Sequence, residues 1–209
     1  MNVPPSRLLF LPGASGDTTL WRPVAEALHH PGERLHLGWP GFGGMPPEPA
    51  VQSFDDLLCL VLRCLDRPTA VLAQSMGGVL ALRAALLRPH PITHLVLAVT
   101  SGGLPMAECG AEDWRTAFRK SHPALPDWFA TANEDLSDQL PSVGIPTVLL
   151  WGDADPISPV AVGQRLASLL PAARLEVFPG ATHDLVRERA AGIAPLVDQH
   201  LAARDSWGP

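Results

Sequence analysis

Apolar residues along this chain fall into two rhythms. Short continuous runs rich in Val, Ile and Leu occupy residues 7–11, 34–39, 69–73, 92–99, 146–151 and 173–178, each of strand length. Between them the apolar positions open out to helical spacing. Leu20, Val24 and Leu28 form one stripe within 19–29, the run 57–65 follows Ser53 and Asp56 as an N-cap pair, residues 79–87 are rich in Ala and Leu, and Leu166, Leu169 and Leu170 mark another core-facing face. A last helix is expected over 185–203. Strands that are apolar throughout, rather than alternating, are buried on both faces, which calls for a parallel sheet covered by helices with right-handed crossovers. The pattern therefore predicts one α/β domain of about six parallel strands spanning residues 1–209.

One segment interrupts the alternation. Residues 101–141 lie between two strands and are richer in charge, Trp and Phe than their surroundings. The segment is expected to hold two short helices, near 112–120 and 127–140, as a small cap insertion over an open or shallow pocket. Trp114, Phe118, Trp128 and Phe129 are candidate lining for an acyl pocket, although aromatics at helical spacing also serve to pack an insertion onto its domain.

Composition narrows the function classes. A chain of 209 residues with 46% hydrophobic and 17% charged residues is large enough for one substantial core. The net charge of −6 is spread out, without a basic run, so nucleic acid and anionic membrane surfaces are not expected partners and a small-molecule substrate is. No apolar run approaches the roughly 20 residues that span a bilayer. The opening M-N-V-P-P-S-R-L-L-F-L-P-G has no cationic start and only a brief apolar run, which reads as cytoplasmic. Cys59, Cys64 and Cys109 show no metal-ligand spacing and read as reduced structural thiols.

The candidate chemistry sits at strand ends. In T-A-V-L-A-Q-S-M-G-G-V, residues 69–79, a buried strand stops at Ser75 and a helix follows, so the serine occupies a sharp strand-to-helix turn. Small residues at Ala73 and Gly77 leave room for neighbouring backbone, and the helix N-terminus points its amides where negative charge would develop. A hydroxyl needs a base. Of eight histidines only His183, in P-G-A-T-H-D-L, lies in a Gly-rich loop after a late strand. The loop G-D-A-D-P-I-S-P after the strand at 146–151 offers two carboxylates, Asp153 and Asp155. The order is Ser, Asp, His, each just beyond a strand.

With A-Q-S-M-G around Ser75, L-F-L-P-G-A at 9–14, G-D-A-D at 152–155 and G-A-T-H at 180–183, the chain resembles the α/β-hydrolase superfamily over nearly its whole length. Through G-W-P-G-F-G-G at 38–44 and W-R-P-V at 21–24 it is similar to small carboxylesterases of the pimeloyl-acyl-carrier-protein methyl esterase type. The resemblance implies an α/β-hydrolase fold without the two leading strands of the usual eight. It implies Ser75 as nucleophile, His183 as base and Asp155, rather than Asp153, as the acid. The backbone amides of Ala14 and Met76 become the expected oxyanion hole, with Gly13 and Gly16 shaping the loop. Many members have His where this chain has Pro12, which leaves the outer hydrogen bonds of that loop to be supplied otherwise.

The activity so implied is a serine hydrolase cleaving a small carboxylic ester without cofactor or metal. A non-hydrolytic ligand-binding protein on the same fold is the alternative from another class. A lyase or perhydrolase using the same three residues is a third.

Overall fold

The computed structural model describes residues 3–203 apart from 124, 127, 132 and 133. Six strands form one sheet: β1 (Arg7–Leu11), β2 (Glu33–His36), β3 (Thr69–Gln74), β4 (Ile92–Ala98), β5 (Thr147–Gly152) and β6 (Ala173–Phe178). Their order is β2-β1-β3-β4-β5-β6, and every neighbouring pair is parallel. The chain moves outward from β1 to β2, then returns to lay β3 on the other side of β1. The carboxyl ends of β1 and β3 thus flank the point where strand order reverses, the place where open α/β sheets hold ligands.

Both faces of the sheet are apolar, as continuous runs require. Leu9, Leu11, Val71, Ala73, Leu95, Leu97, Leu149 and Trp151 face one core, while Leu8, Phe10, Ala70, Leu72, Val96, Ala98, Val148 and Leu150 face the other. The first core is closed by α2 (Phe54–Arg63), α3 (Met76–Leu87) and α6 (Val160–Leu169). The second is closed by α1 (Arg22–Ala27), α7 (Leu185–Glu188) and α8 (Ala190–Ala202). Each fully buried Leu or Val side chain stabilises the fold by about 1.5–3 kcal/mol relative to exposure. The cap at the start of α2 forms as the sequence predicts: the Asp56 N–H donates to Ser53 Oγ at 3.2 Å, and Asp56 Oδ2 accepts in return from the Gln52 N–H at 3.0 Å.

Several boundaries differ from expectation. The run expected as a strand over 34–39 pairs only through His36, because the chain turns away and inserts Trp39 into the core. The strand expected to reach Val99 ends at Ala98, since Val99 takes a φ of 42° that a ladder does not tolerate. The expected last helix is two helices broken at Arg189, with φ −122°.

In the segment between β4 and β5 the first expected helix exists as α4 (Arg115–Ser121). The second forms only as the turn α5 (Trp128–Thr131), and its expected first residue, Asp127, lies outside the described residues. Asp135 explains the loss of helix beyond it, because its carboxylate takes the Ser137 N–H at 3.0 Å and hydroxyl at 2.6 Å, a local turn that competes with helix formation. Short 3-10 turns at Met106–Cys109 and Leu140–Ser142 complete the segment. All three cysteines are free thiols. No helix among the described residues is long and apolar enough to cross a membrane.

Candidate active site

Ser75 stands at the end of β3 with φ 52° and ψ −120°, an unfavourable geometry for a residue with a side chain. The bend holds its hydroxyl above the sheet and starts α3 at Met76. Two glycines make the bend possible by letting a neighbouring backbone and a neighbouring side chain approach. A Cβ at Gly77 would lie 2.6 Å from the Pro12 carbonyl oxygen, and one at Gly78 would lie 2.5 Å from Thr100 Oγ1.

His183 Nε2 lies 3.1 Å from Ser75 Oγ, and on the other side of the ring Nδ1 lies 2.7 Å from Asp155 Oδ2. Residues 75, 155 and 183, carried at the ends of β3, β5 and β6, therefore meet in one hydrogen-bonded line. Asp155 is 4% exposed, and its other oxygen accepts the N–H groups of Ile157 at 2.8 Å and Ser158 at 3.2 Å. These bonds fix the carboxylate so that Oδ2 faces the imidazole. Asp153 does something else: it accepts the Gly180 N–H at 2.6 Å and closes the turn that carries the histidine.

Three buried tryptophans tie the surrounding loops to the core. Trp21 Nε1 donates to the Leu11 carbonyl at 3.1 Å, Trp39 Nε1 to the carbonyls of Gly13 at 3.1 Å and Pro12 at 3.2 Å, and Trp151 Nε1 to the Ser158 carbonyl at 2.8 Å. The loop after β1, in which Pro12 stands, is thus anchored through its backbone carbonyls by the Trp39 indole. Within it, a Cβ at Gly13 would lie 3.1 Å from Ser75 Cβ, so the loop runs directly beside the serine. The amides of Ala14 and Met76 have no hydrogen-bond acceptor in the protein among the described residues; Met76 is the first residue of α3, where no intrahelical acceptor exists.

Further contacts cross the site that sequence spacing does not reveal. Gln74 Nε2 donates to the His183 carbonyl at 3.2 Å, and the Thr100 hydroxyl donates to the Ser75 carbonyl at 2.6 Å. Arg187, on α7 just after the histidine, is ion-paired with Asp17 on the loop after β1, and its Nη1 lies 3.4 Å from Asp184. Burial alone would raise the Asp17 pKa, but hydrogen bonds from Thr19 and Arg187 outweigh it and hold the carboxyl below its usual range.

Two cavities open on Ser75 and His183. One, of about 320 Å³, is largely apolar, with Phe54, Met76, Val79, Leu104, Met106 and Phe129 in its wall and Glu112, Asp113, Arg115 and Glu134 also lining it. The other, of about 400 Å³, is more polar and is bounded by Ser15, Asp17, Gln74, Asp184 and Arg187. Trp114 and Ile157 border both. Of the four aromatics expected as pocket lining, Trp114 and Phe129 face the apolar cavity and Phe118 the polar one. Trp128 lines neither cavity and packs on Phe42 with ring centroids 5.7 Å apart. No group of three or more His, Cys, Asp or Glu suited to a metal ion occurs among the described residues.

Comparison with known proteins agrees with this architecture. Polyketide synthase ThaQ of Burkholderia thailandensis is 27% identical over 97% of the chain, which spans only 12% of that protein's length. A 2-succinyl-6-hydroxy-2,4-cyclohexadiene-1-carboxylate synthase of Escherichia coli is 31% identical over 82% of this chain and 69% of its own. The crystal structure of a hydrolase from Pseudomonas aeruginosa PA01 superposes with a TM-score of 0.77 at 23% identity, covering 95% of this chain and 91% of that one, a likeness of fold. The sequence model describing the alpha/beta hydrolase fold matches residues 6–131 and 104–190, and with the parallel sheet and the elbow at Ser75 it shows that the chain belongs to that family.

Proposed function

We propose that the protein is a serine hydrolase that cleaves a small carboxylic ester through an acyl-enzyme. The observation that carries this reading is the line from Ser75 Oγ to His183 Nε2 at 3.1 Å and from His183 Nδ1 to Asp155 Oδ2 at 2.7 Å. With Nδ1–H donating to Asp155, Nε2 is left as the acceptor that takes the serine proton during attack. Asp155 holds that tautomer and stabilises the imidazolium that forms. The amides of Ala14 and Met76 receive the charge on the carbonyl oxygen in the tetrahedral intermediate, aided by the N-terminus of α3. The imidazolium then protonates the departing alcohol, and water, activated by the same nitrogen, releases the acid.

The two cavities divide the substrate. The acyl group occupies the apolar one, beneath residues 101–141, which serve as a small cap; the alcohol leaves through the polar one. At about 320 Å³ the apolar cavity stands at the small end of ligand-sized pockets, which suits a short to medium acyl chain. Of the carboxylates in its wall, Glu134 is paired with Arg83 at 3.1 Å, and Glu112 and Asp113 stand beside Arg115, so the lining offers no surplus cation for an anionic chain and suits an uncharged one.

A second reading, a lyase working with the same three residues, is supported by the Escherichia coli relative, which is named a synthase and is 31% identical over 82% of this chain. That relative is named for a carboxylate product, and the wall of this cavity holds no cation in excess of its carboxylates to receive one.

The test is hydrolysis of p-nitrophenyl esters and acyl thioesters of graded chain length, with product analysis and Ser75→Ala as control. Serine-dependent release of free acid with an optimum at short to medium length supports the ester hydrolase. Serine-dependent elimination without hydrolysis supports the lyase. Saturable binding without turnover makes it a binding protein.

A further inference from the structure

The peptide unit joining Ser75 to Met76 is held at its carbonyl by two donors. The Gly78 N–H reaches that oxygen at 2.9 Å, a bond across three residues that tightens the first turn of α3, and the Thr100 hydroxyl reaches it at 2.6 Å. A trans peptide is planar, so its C=O and N–H point in opposite directions on one rigid unit. The N–H at the other edge is that of Met76, the proposed oxyanion donor. We infer that Thr100 is the positioning residue of the oxyanion hole: by gripping the Ser75 carbonyl, its hydroxyl fixes the rotation of this peptide and aims the Met76 N–H at the developing charge. The inference rests on the serine-hydrolase reading above and deepens it.

Thr100 is built to hold one orientation. It is fully buried, at 0% exposure, and its Oγ1 also accepts the Gly102 N–H at 3.0 Å, which leaves the hydroxyl proton for the Ser75 carbonyl. Its approach requires Gly78, where any Cβ would collide with it. It also requires Val99, whose φ of 42° turns the chain out of β4 toward Ser75. A β-branched residue with positive φ is a costly backbone choice that persists only where the surroundings over-determine it. Ser75 and Val99, the positive-φ residues other than glycine among those described, thus stand at the ends of the adjacent strands β3 and β4, and the Thr100 hydroxyl joins the two bends. A donor on the carbonyl also polarises the peptide and strengthens its N–H as a donor to the oxyanion. The Thr100 carbonyl accepts the Ser158 hydroxyl through a long bond of 3.4 Å, and the Ser158 N–H holds Asp155, so the same residue touches the loop of the acid.

The test compares Thr100→Val, which keeps the shape and loses the donor, with Thr100→Ser, which keeps the donor. Each is assayed for kcat and KM on p-nitrophenyl butyrate and for inhibition by a butyl trifluoromethyl ketone, whose hemiketal oxyanion occupies the same hole. Thr100→Val is expected to lower kcat by about 10- to 100-fold with KM within about twofold. Its affinity for the ketone falls by the same factor as kcat/KM, and Thr100→Ser returns both to within about threefold. If Thr100→Val does not fold, Thr100→Cys, with a weakly donating thiol, carries the same expectation. Wild-type kcat in the folded valine or cysteine variant, or equal loss in valine and serine variants, overturns the inference. Failure of a fluorophosphonate probe to label Ser75 in the wild type removes instead the hydrolase reading beneath it.

Discussion

His183 Nδ1 lies 2.7 Å from the buried carboxylate of Asp155, while Asp153, two residues earlier on the same loop, spends its oxygen on the Gly180 N–H at 2.6 Å. One carboxylate orients the imidazole and the other shapes the loop that presents it. Asp155→Asn is expected to lower kcat about 10³- to 10⁴-fold with the fold retained, because the amide favours the wrong imidazole tautomer. Asp153→Asn is expected to lower the melting temperature while costing activity less than about tenfold. Steady-state kinetics beside thermal melts of both variants distinguish the roles.

Trp39 gives the loop after β1 its anchor. Its indole N–H is shared by the carbonyls of Pro12 and Gly13, the residues just before Ala14. Trp39→Phe keeps most of the buried ring and removes the donor, leaving two carbonyls without it. A stability loss of about 1–3 kcal/mol and a kcat reduced about tenfold or more at similar KM are expected. Urea unfolding and ester kinetics on the same preparation check both.

Much of this site is legible in the sequence because its parts are local. Ser75 is marked by an apolar strand and an Ala/Leu-rich helix meeting at a single turn, and Asp155 and His183 each follow a strand within a few residues. What spacing cannot show is which distant backbone these residues touch. Gln74 meets the carbonyl of His183 across 109 positions and Thr100 meets that of Ser75 across 25, and neither belongs to a local pattern. The same limit explains the boundaries. Trp39 is apolar like a strand residue but is buried as a loop anchor, and α7 and α8 present one continuous apolar stripe although the chain bends at Arg189.

At the opposite end of β4 a pair of histidines makes the fold sensitive to acid. His94 and His200 are 2% and 1% exposed, with ring centroids 5.0 Å apart. Burial and the nearby His30 push His94 down to about 4, and burial, His94 and Arg174 push His200 down to about 3. Both folded values lie below the 6.5 of an unfolded histidine, so the unfolded chain binds protons first as pH falls. Stability is therefore complete above about pH 6.5 and declines below it, by on the order of 2–4 kcal/mol between pH 7.5 and 5. His200→Leu is expected to flatten that decline, measured by urea unfolding at the two pH values.

Met106 stands in the wall of the apolar cavity. Met106→Trp fills part of that cavity and leaves Ser75, His183 and Asp155 unchanged. The preferred acyl chain is expected to shorten, with kcat/KM for octanoyl esters falling at least about tenfold and that for acetyl esters within about twofold. A p-nitrophenyl ester series on both proteins reads this directly.

The central claim is an activated serine at position 75, and fluorophosphonate labelling followed by peptide mass spectrometry tests it without knowledge of the substrate. A phosphonyl adduct on Ser75 is predicted, absent from Ser75→Ala and slowed by at least about 10³-fold in His183→Ala. A folded wild-type protein that stays unlabelled by probes of several sizes, or that carries the adduct on another residue, contradicts the account.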